Sequence, residues 1–373
     1  MRLAIAATPG LSLCGREAAA RAFDDGSAAR IPSHGNGSKT VRIAALQVRR
    51  FEDCEGLRTD PFRAGFSMED VFISIGRRLD RYEALLERAA EQNCQLVVLT
   101  EDITALSRLM RYLDDVSLFR RAVEYQTGLI HDRYTALSQR HGMHIVACYF
   151  AAEGDDIFNV ADLFAPGTGR IGRYRKVHLP QYELWQVKPG DGFPAFETEL
   201  GWISMLICYD QMWPEASTCC ALSGAQIICH PSAAVLRDYR MRTRAMDHQL
   251  FYVSSCRQES RIVSPRAEIL ADGGDRDPAV VWADIDVQGA TLAQPYFYET
   301  LYSGIRDHKE RHLKFRRPES YGVITRQRTP LHGHYPAAGV ADTPEKIEKV
   351  YATMKEMIHR HQHGETVPYH WRW

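Results

Sequence analysis

The sequence contains no uninterrupted apolar stretch near the roughly 18 residues that a membrane-spanning helix requires, so no membrane association is expected. It carries no H-E-x-x-H and no similarly spaced ligand pairs despite 15 histidines, which argues against a metallohydrolase. An excess of charge of one sign is also missing. With 46 Lys and Arg against 47 Asp and Glu, nothing global points to nucleic acid or to an acidic membrane surface. No C-x-x-C occurs, and the 9 cysteines are odd in number, with several in apolar, strand-like runs. Reduced, buried thiols in a cytoplasmic protein fit this usage better than a disulfide framework. No repeat of about 20–50 residues is visible, which excludes solenoid and propeller architectures.

What is present is ordinary globular composition: 373 residues, 45% hydrophobic and 25% charged. Residues 1–40 are rich in Ala, Gly and Ser and lack periodicity, so they read as a disordered N-terminal extension. The alternative is a cleaved targeting segment. Arg16, Arg21 and Arg30 favour it, whereas Pro9, Asp24 and Asp25 oppose it.

From residue 41 the pattern becomes regular. A strand-like run over 41–48 precedes a helical stripe of Ile75, Leu79, Tyr82, Leu86 and Ala89, which Asn93 is placed to end. A short buried strand over 95–100 (QLVVLT) delivers Glu101 at its C-terminal end. The spacing predicts a helix from about 107 to 140, broken once, then paired strands over 145–150 and 157–164, closed by Pro166-Gly167. A strand over 201–207 leads into Cys208. A helix follows over 214–222, with Pro214 suited to its first turn. Strand is expected again at 226–229, helix over 240–250, and strands near Tyr252, Ile262 and Val280. Alternating buried strands and helices argue for an α/β layered fold. No linker divides 41 from about 300, so one catalytic domain is expected there, followed by a 301–373 C-terminal extension. Within that extension, 305–328 is rich in Arg and Lys, which suits a solvated or subunit-facing surface. A helix beginning at Thr343-Pro344 carries the stripe Ile347, Val350, Tyr351, Met354 and Ile358, which suits docking on the domain or on a neighbouring subunit.

Hydrolysis of an unactivated carbon–nitrogen bond needs a strong nucleophile, a base, and positive charge where an oxyanion forms. Three strand ends offer candidates. Cys208 stands where a buried strand turns toward a helix, as in a nucleophile elbow, with the Tyr209 N–H as a natural oxyanion donor. A nearby lysine or helix N-terminus would acidify its thiol. Lys176 interrupts the extended run G-R-Y-R-K-V-H-L-P over 172–180, and Glu101 is a carboxylate whose burial could tune it as a base. Taken singly each has a plainer explanation: a core thiol, a solvated lysine among arginines, a loop or cap carboxylate.

Their order changes that reading. Glu101, Lys176 in a Y-R-K-V-H-L context and Cys208 in I-C-Y-D-x-x-W-P-E resemble the nitrilase superfamily of carbon–nitrogen hydrolases. The later G-A-Q-I-I-C-H-P-S-A over 224–233 and R-A-M-D over 244–247 are similar to the strand, loop and helix that lie beyond the nucleophile in that family. The resemblance implies a four-layer α-β-β-α sandwich, homodimers or larger homo-oligomers, and no metal or organic cofactor. It assigns Cys208 as nucleophile, Glu101 as general base and Lys176 as stabiliser of the tetrahedral species, with Glu183 as a second glutamate. Tyr209, Trp213 and His178 are expected to serve the oxyanion or the substrate. Two departures concern the pocket: Thr100 stands where Pro is common, and Ser255-Cys256-Arg257-Gln258 replaces an Asn followed by a small residue.

The Tyr209-Asp210 pair after the cysteine resembles the amidase and N-carbamoyl-amine hydrolase branches more than nitrile-cleaving members, which tend to carry Trp-Glu there. A linear amide or N-carbamoyl substrate is therefore expected, with a nitrile as the alternative and an inactive scaffold as the remaining one. Arg237, Arg240 and Arg257 are candidate anchors for a substrate carboxylate. Two other classes fit less well. A papain-like protease would pair Cys208 with His178 or His230, and a retaining glycosidase built on Glu101 and Glu183 would need neither Lys176 nor Cys208.

Overall fold

A computed structural model of the protein describes residues 40–49, 56–180, 182–287, 308–325 and 344–365. The expected N-terminal extension lies outside the described residues, apart from its last member, Thr40. Two six-stranded sheets organise the chain. The first contains β1 (Thr40–Gln47), β2 (Leu96–Val98), β3 (His144–Glu153), β4 (Asp156–Ala165), β5 (Gly169–Arg175) and β12 (Ala279–Asp286), in the order β12-β1-β2-β3-β4-β5. The second contains β6 (Ala195–Thr198), β7 (Gly201–Met205), β8 (Ile227–Pro231), β9 (Phe251–Ser255), β10 (Arg261–Val263) and β11 (Ile269–Asp272), in the order β11-β10-β9-β8-β7-β6.

The layering follows from side-chain alternation. On β1, Val41, Ile43 and Ala45 join the core between the sheets, while Ala44 and Leu46 join the core under the outer helices. Both faces are covered, which is why the central strands read as continuous apolar runs rather than as alternating ones. Helices α1 (Met68–Glu91) and α3 (Ser117–His141) cover the first sheet, with the short α2 (Ser107–Arg111) between them in sequence. Helices α4 (Pro214–Leu222) and α5 (Asp238–His248) cover the second. The result is the expected α-β-β-α sandwich.

Local chemistry sets the element ends. Ser67 caps α1 by accepting the Asp70 N–H at 3.2 Å, and Val71, Ile75, Leu79, Tyr82, Leu86 and Ala89 form its buried stripe. The expected single break in the 107–140 helix falls between α2 and α3. Among the described residues Cys94, Cys148, Cys208, Cys219, Cys220, Cys229 and Cys256 are free thiols, and no helix is long and apolar enough to cross a membrane.

Strand direction positions the site. Strands β1, β2 and β3 run parallel, and the antiparallel β4 and β5 return β5 to the same sense as β2. Residues following β2 and β5 therefore emerge at one end of the first sheet. Strands β7, β8 and β9 are parallel in the second, so the residues after β7 and β8 emerge together as well.

Beyond the sandwich lie α6 (His308–Lys314) and α7 (Pro344–Gln362). Of the α7 stripe, Tyr351 and Met354 are buried, Ile347 and Ile358 are half-buried, and Val350 is exposed. The Tyr351 hydroxyl accepts the Leu113 and Asp114 N–H groups at 3.0 and 3.3 Å, and Lys355 pairs with Asp114 at 3.1 Å. The helix thus packs just beyond α2. In the basic 305–328 segment, Lys309 and Arg311 are buried rather than solvated, and the Lys309 ammonium donates to the Ala225 carbonyl.

Candidate active site

Glu101, Lys176, Glu183 and Cys208 converge at the shared end of the two sheets. Lys176 directly follows β5, only 1% exposed, and its Nζ donates to Glu101 Oε1 and to Glu183 Oε1, both at 2.8 Å. A buried ammonium shared by two carboxylates is the arrangement that makes burial of all three tolerable. Glu101, carried past β2, also accepts the Asn159 amide at 3.0 Å on Oε1 and the Ala233 backbone N–H at 2.9 Å on Oε2. Asn159 lies on β4, beside Lys176, whose backbone N–H donates to the Asn159 carbonyl at 2.9 Å. Its side chain also donates to Glu183 Oε2 at 3.4 Å, so it bridges both glutamates.

The electrostatics follow from burial opposed by charge. Burial would raise the Glu101 carboxyl, but the Lys176 ammonium and the donated hydrogen bonds hold it below the usual carboxylate range. Burial would lower Lys176, yet the two carboxylates keep it well above the usual lysine value. Glu183 has less help. Burial pushes it up to about 7, against the pull of Lys176 and Asn159. The Cys208 thiol is pushed up to about 12, first by burial and then by the Glu101 charge, with Lys176 and Ser232 opposing. The expected acidified thiol is therefore not what the geometry yields. The Glu101 charge acts more strongly on the sulfur than the Lys176 charge does, which leaves the resting thiol protonated.

Cys208 begins a 3-10 turn, Cys208–Met212, and has φ of 41°, a left-handed backbone that a non-glycine residue adopts only when its surroundings enforce it. Those surroundings are explicit. Asp210, fully buried, accepts the Ile207 N–H at 2.9 Å and the Tyr174 hydroxyl at 2.7 Å on one oxygen. Its other oxygen accepts the His178 N–H at 3.0 Å and faces His178 Nδ1 at 2.9 Å. One carboxylate thereby ties the cysteine elbow to the strand end that carries Lys176. On the far side, His230 Nε2 lies 3.2 Å from the Cys208 carbonyl, while Tyr252 donates to His230 Nδ1 at 2.5 Å. Burial lowers His230 to about 4, so the ring is neutral at physiological pH.

A cavity of about 410 Å³ opens on this group, with Glu101, Glu183, Cys208 and Ala233 in its wall. His178 and Trp213 are not among the described lining residues. They stack on each other at 4.1 Å, with the His178 ring held on Asp210 at 2.9 Å. The Tyr209 ring is 37% exposed and packs edge-on to Trp213, leaving only its backbone N–H, in the first turn after Cys208, as a candidate oxyanion donor. Arg257 lines the cavity; Arg237 and Arg240 do not, and Arg240 instead contacts the Met212 sulfur. Sequence reasoning does not single out Asn159 or the Ala233 amide, and it uses Asp210 only as a mark of the branch, with no role in the site. A polar Asn inside the apolar strand 157–164 is the one signal that could. Among the described residues no group of three His, Cys, Asp or Glu side chains is arranged to hold a metal.

The departure at position 100 has a local reason. Thr100 is buried and its hydroxyl meets that of Tyr82 from α1, a contact that proline could not make.

A carbon-nitrogen hydrolase family model matches residues 68–294, more than half of the 373-residue chain. The chain belongs to the carbon-nitrogen hydrolase family. Within this family it is 30% identical to a nitrilase of Pyrococcus abyssi over 233 residues, covering 59% of this chain and 87% of that one. It is 25% identical to the omega-amidase NIT2 of Xenopus tropicalis over 237 residues, covering 56% of this chain and 83% of that one. The match to the N-carbamoylputrescine amidase of Arabidopsis thaliana is 31% over 157 residues, 40% of this chain and 52% of that protein. In three dimensions, the carbon-nitrogen hydrolase from Helicobacter pylori G27 superposes with a TM-score of 0.61 at 21% identity, over 77% of this chain and 99% of its own, which shows the shared fold.

Proposed function

We propose that this carbon-nitrogen hydrolase cleaves linear amides or N-carbamoyl compounds, releasing ammonia through a thioester on Cys208. The observation that carries the reading is the Glu101–Lys176–Glu183 ion group, whose two carboxylates share one cavity wall with Cys208. Glu101, held ionised, takes the thiol proton as the sulfur attacks the carbonyl carbon. The carbonyl oxygen becomes anionic, and the Lys176 ammonium with the Tyr209 N–H stabilises it. Collapse breaks the carbon–nitrogen bond while Glu101 returns the proton to the departing nitrogen. Water then gives a proton to Glu101 and attacks the thioester; the sulfur leaves, recovers that proton, and the carboxylic acid or carbamate departs. Amide over nitrile chemistry is supported by Tyr209-Asp210 after the cysteine. The Pyrococcus abyssi relative, named a nitrilase, supports the second reading, in which the same sulfur attacks a nitrile carbon.

The test is ammonia release from the full chain across aliphatic amides, ω-amides, N-carbamoyl amino acids and nitriles, with rapid acid quenching and mass analysis of the Cys208 peptide. Amide or carbamoyl turnover with an acyl-sized adduct on Cys208 is the expected result. Turnover of nitriles alone would transfer the assignment to the second reading, and turnover with no Cys208 adduct would remove the thioester route.

Glu183 sets a pH limb. Below about 7 it is neutral, so Lys176 offers its charge to Glu101 and the oxyanion; above about 7 the site gains a negative charge that opposes both thiolate and oxyanion. kcat/KM is expected to fall as pH rises through that value, and Glu183→Gln should flatten this limb. A limb that persists in Glu183→Gln belongs to another group. The sign for stability is the same. A carboxyl whose folded pKa is raised stabilises fully below the ordinary carboxylate range, and that contribution is lost as pH rises through about 7.

A further inference from the structure

His230 is fully buried, reaches the backbone of the nucleophile and has no part in the proposed chemistry. It stands on β8, with Tyr252 on the neighbouring β9. Ile228 pairs with Tyr252 and His230 with Ser254, so the two side chains share one face of the second sheet as diagonal neighbours. Their rings meet edge to face at 5.4 Å. Both ring nitrogens of His230 are engaged, Nε2 at 3.2 Å from the Cys208 carbonyl and Nδ1 at 2.5 Å from the Tyr252 hydroxyl. Neither is left for the Cys208 thiol, so His230 is not built as the base of a protease-like pair.

A carbonyl oxygen only accepts, so Nε2 must carry the proton that lies between it and Cys208. Burial keeps the ring neutral at physiological pH, which leaves Nδ1 as a lone pair and makes the Tyr252 hydroxyl its donor. The tautomer is thus set from both sides. What it holds is the peptide between Cys208 and Tyr209. That unit is planar and trans, so its carbonyl and its N–H point in opposite directions, and fixing one fixes the other. A hydrogen bond accepted by the carbonyl also polarises the amide and strengthens its N–H as a donor. Among the described residues the Tyr209 N–H meets no acceptor. Cys208 itself sits at φ of 41°, where a non-glycine residue needs support from its surroundings.

We infer that His230, fixed in one tautomer by Tyr252, is a positioning residue for the oxyanion: it holds the Cys208–Tyr209 peptide so that the Tyr209 N–H is aimed at the oxygen of the tetrahedral species. This rests on the proposed reading, in which that N–H and Lys176 stabilise the oxyanion. Asp210 fixes the same elbow from the other side, through the Ile207 N–H at 2.9 Å, so two buried side chains divide the turn between them. His230 and Tyr252 are not among the described residues that line the cavity, so substitutions there act on the oxyanion through the backbone.

The test uses the full chain with His230→Leu, His230→Gln and Tyr252→Phe. Each variant is measured first for kcat and KM on one amide. The second measurement is the dissociation constant of butyraldehyde. The Cys208 sulfur adds to its carbonyl carbon while the thiol proton passes to its oxygen, which then occupies the oxyanion position. The third is the rate at which methyl methanethiosulfonate modifies Cys208, a reaction at sulfur that forms no oxyanion. His230→Leu is expected to lower kcat and butyraldehyde affinity together by about tenfold, with KM and the modification rate little changed. Glutamine can place an N–H near the position of Nε2, so His230→Gln should recover most of both losses. Tyr252→Phe should lower both by about threefold, and it carries the test if His230→Leu does not fold. Butyraldehyde affinity that none of the variants moves overturns the assignment. So does a modification rate that falls in step with kcat, which would make His230 a support of the elbow as a whole. Affinity lost in the variants without amide turnover by the wild type sustains the positioning role and removes the amidase reading. Amide turnover with affinity unmoved does the reverse.

Discussion

Lys176→Met is expected to lower ammonia release by at least about 10³-fold and to lower stability by about 3–5 kcal/mol at the same time. Methionine roughly preserves the shape of the lysine stem, so the loss is one of charge rather than volume. Glu101 would then lose the cation that holds its carboxyl below the usual range, and burial beside Glu183 would push it up. A protonated Glu101 cannot take the Cys208 proton, and the oxyanion loses its positive partner, so two steps fail together. Cys208→Ala provides the contrast. It should lower activity by at least about 10⁴-fold while leaving the ion group intact and the denaturation midpoint nearly unchanged. A second contrast is Lys176→Met/Glu183→Gln, which removes one of the stranded carboxylates. It should regain much of the lost stability and none of the activity. Denaturant midpoints and kcat/KM on a single amide read all three variants. Lys176→Met as stable as the wild type would mean that the ion group contributes nothing to folding, and near-normal turnover would remove the lysine from the mechanism.

The legibility of this fold and site in the sequence divides along a physical line. Elements with both faces covered are readable because burial leaves an apolar record: β1, β3, β4, β7, α1 and α4 fall where periodicity and capping chemistry put them. Strands at or near sheet margins leave less trace. β5 carries Arg170, Arg173 and Arg175, whose charges pair with Asp162 and Glu153 on neighbouring strands, and β6 has no fully buried residue. β2 has three residues, not six, because the chain leaves the sheet early to carry Glu101 around. Within the site, Glu101, Lys176 and Cys208 can be named because each stands in a local context that the family resemblance reads, and Glu183 because it follows the lysine at short range. Asn159 cannot, since its two glutamate partners lie 58 and 24 residues away in sequence. His178 and Trp213 stand inside the same motifs, and what the motifs do not record is that their rings stack on each other across the gap between two strand ends. The arginines that line the cavity come from the segments after β1 and β9 and from α1 and α2, a coincidence of places that no local pattern records.

Asp210→Ala is expected to be the most damaging substitution of a residue that never touches substrate. The fully buried carboxylate accepts from Ile207, from the Tyr174 hydroxyl and from the His178 backbone, and faces the His178 ring. Alanine leaves those donors buried without an acceptor. At about 1–3 kcal/mol for each stranded group, partly offset by relaxation, the loss should be roughly 4 kcal/mol. The functional effect comes through geometry. The left-handed backbone at Cys208 and the strand end that carries Lys176 are pinned by the same carboxylate, so its removal frees the nucleophile and the lysine to drift apart. A displacement on the order of 1 Å at the sulfur lowers kcat about 10²-fold, with KM changed much less, because the cavity wall itself is untouched. Asp210→Asn should fall between, since it keeps one acceptor oxygen and adds an N–H₂ where acceptance is needed. If Asp210→Ala does not fold, Tyr174→Phe takes out one of the bonds alone. It should cost about 1 kcal/mol and reduce kcat by less than tenfold. Thermal midpoints with separate kcat and KM values decide the matter: a fall in stability with unaltered kcat would make Asp210 a fold residue only, and a fall confined to KM would place it in substrate binding.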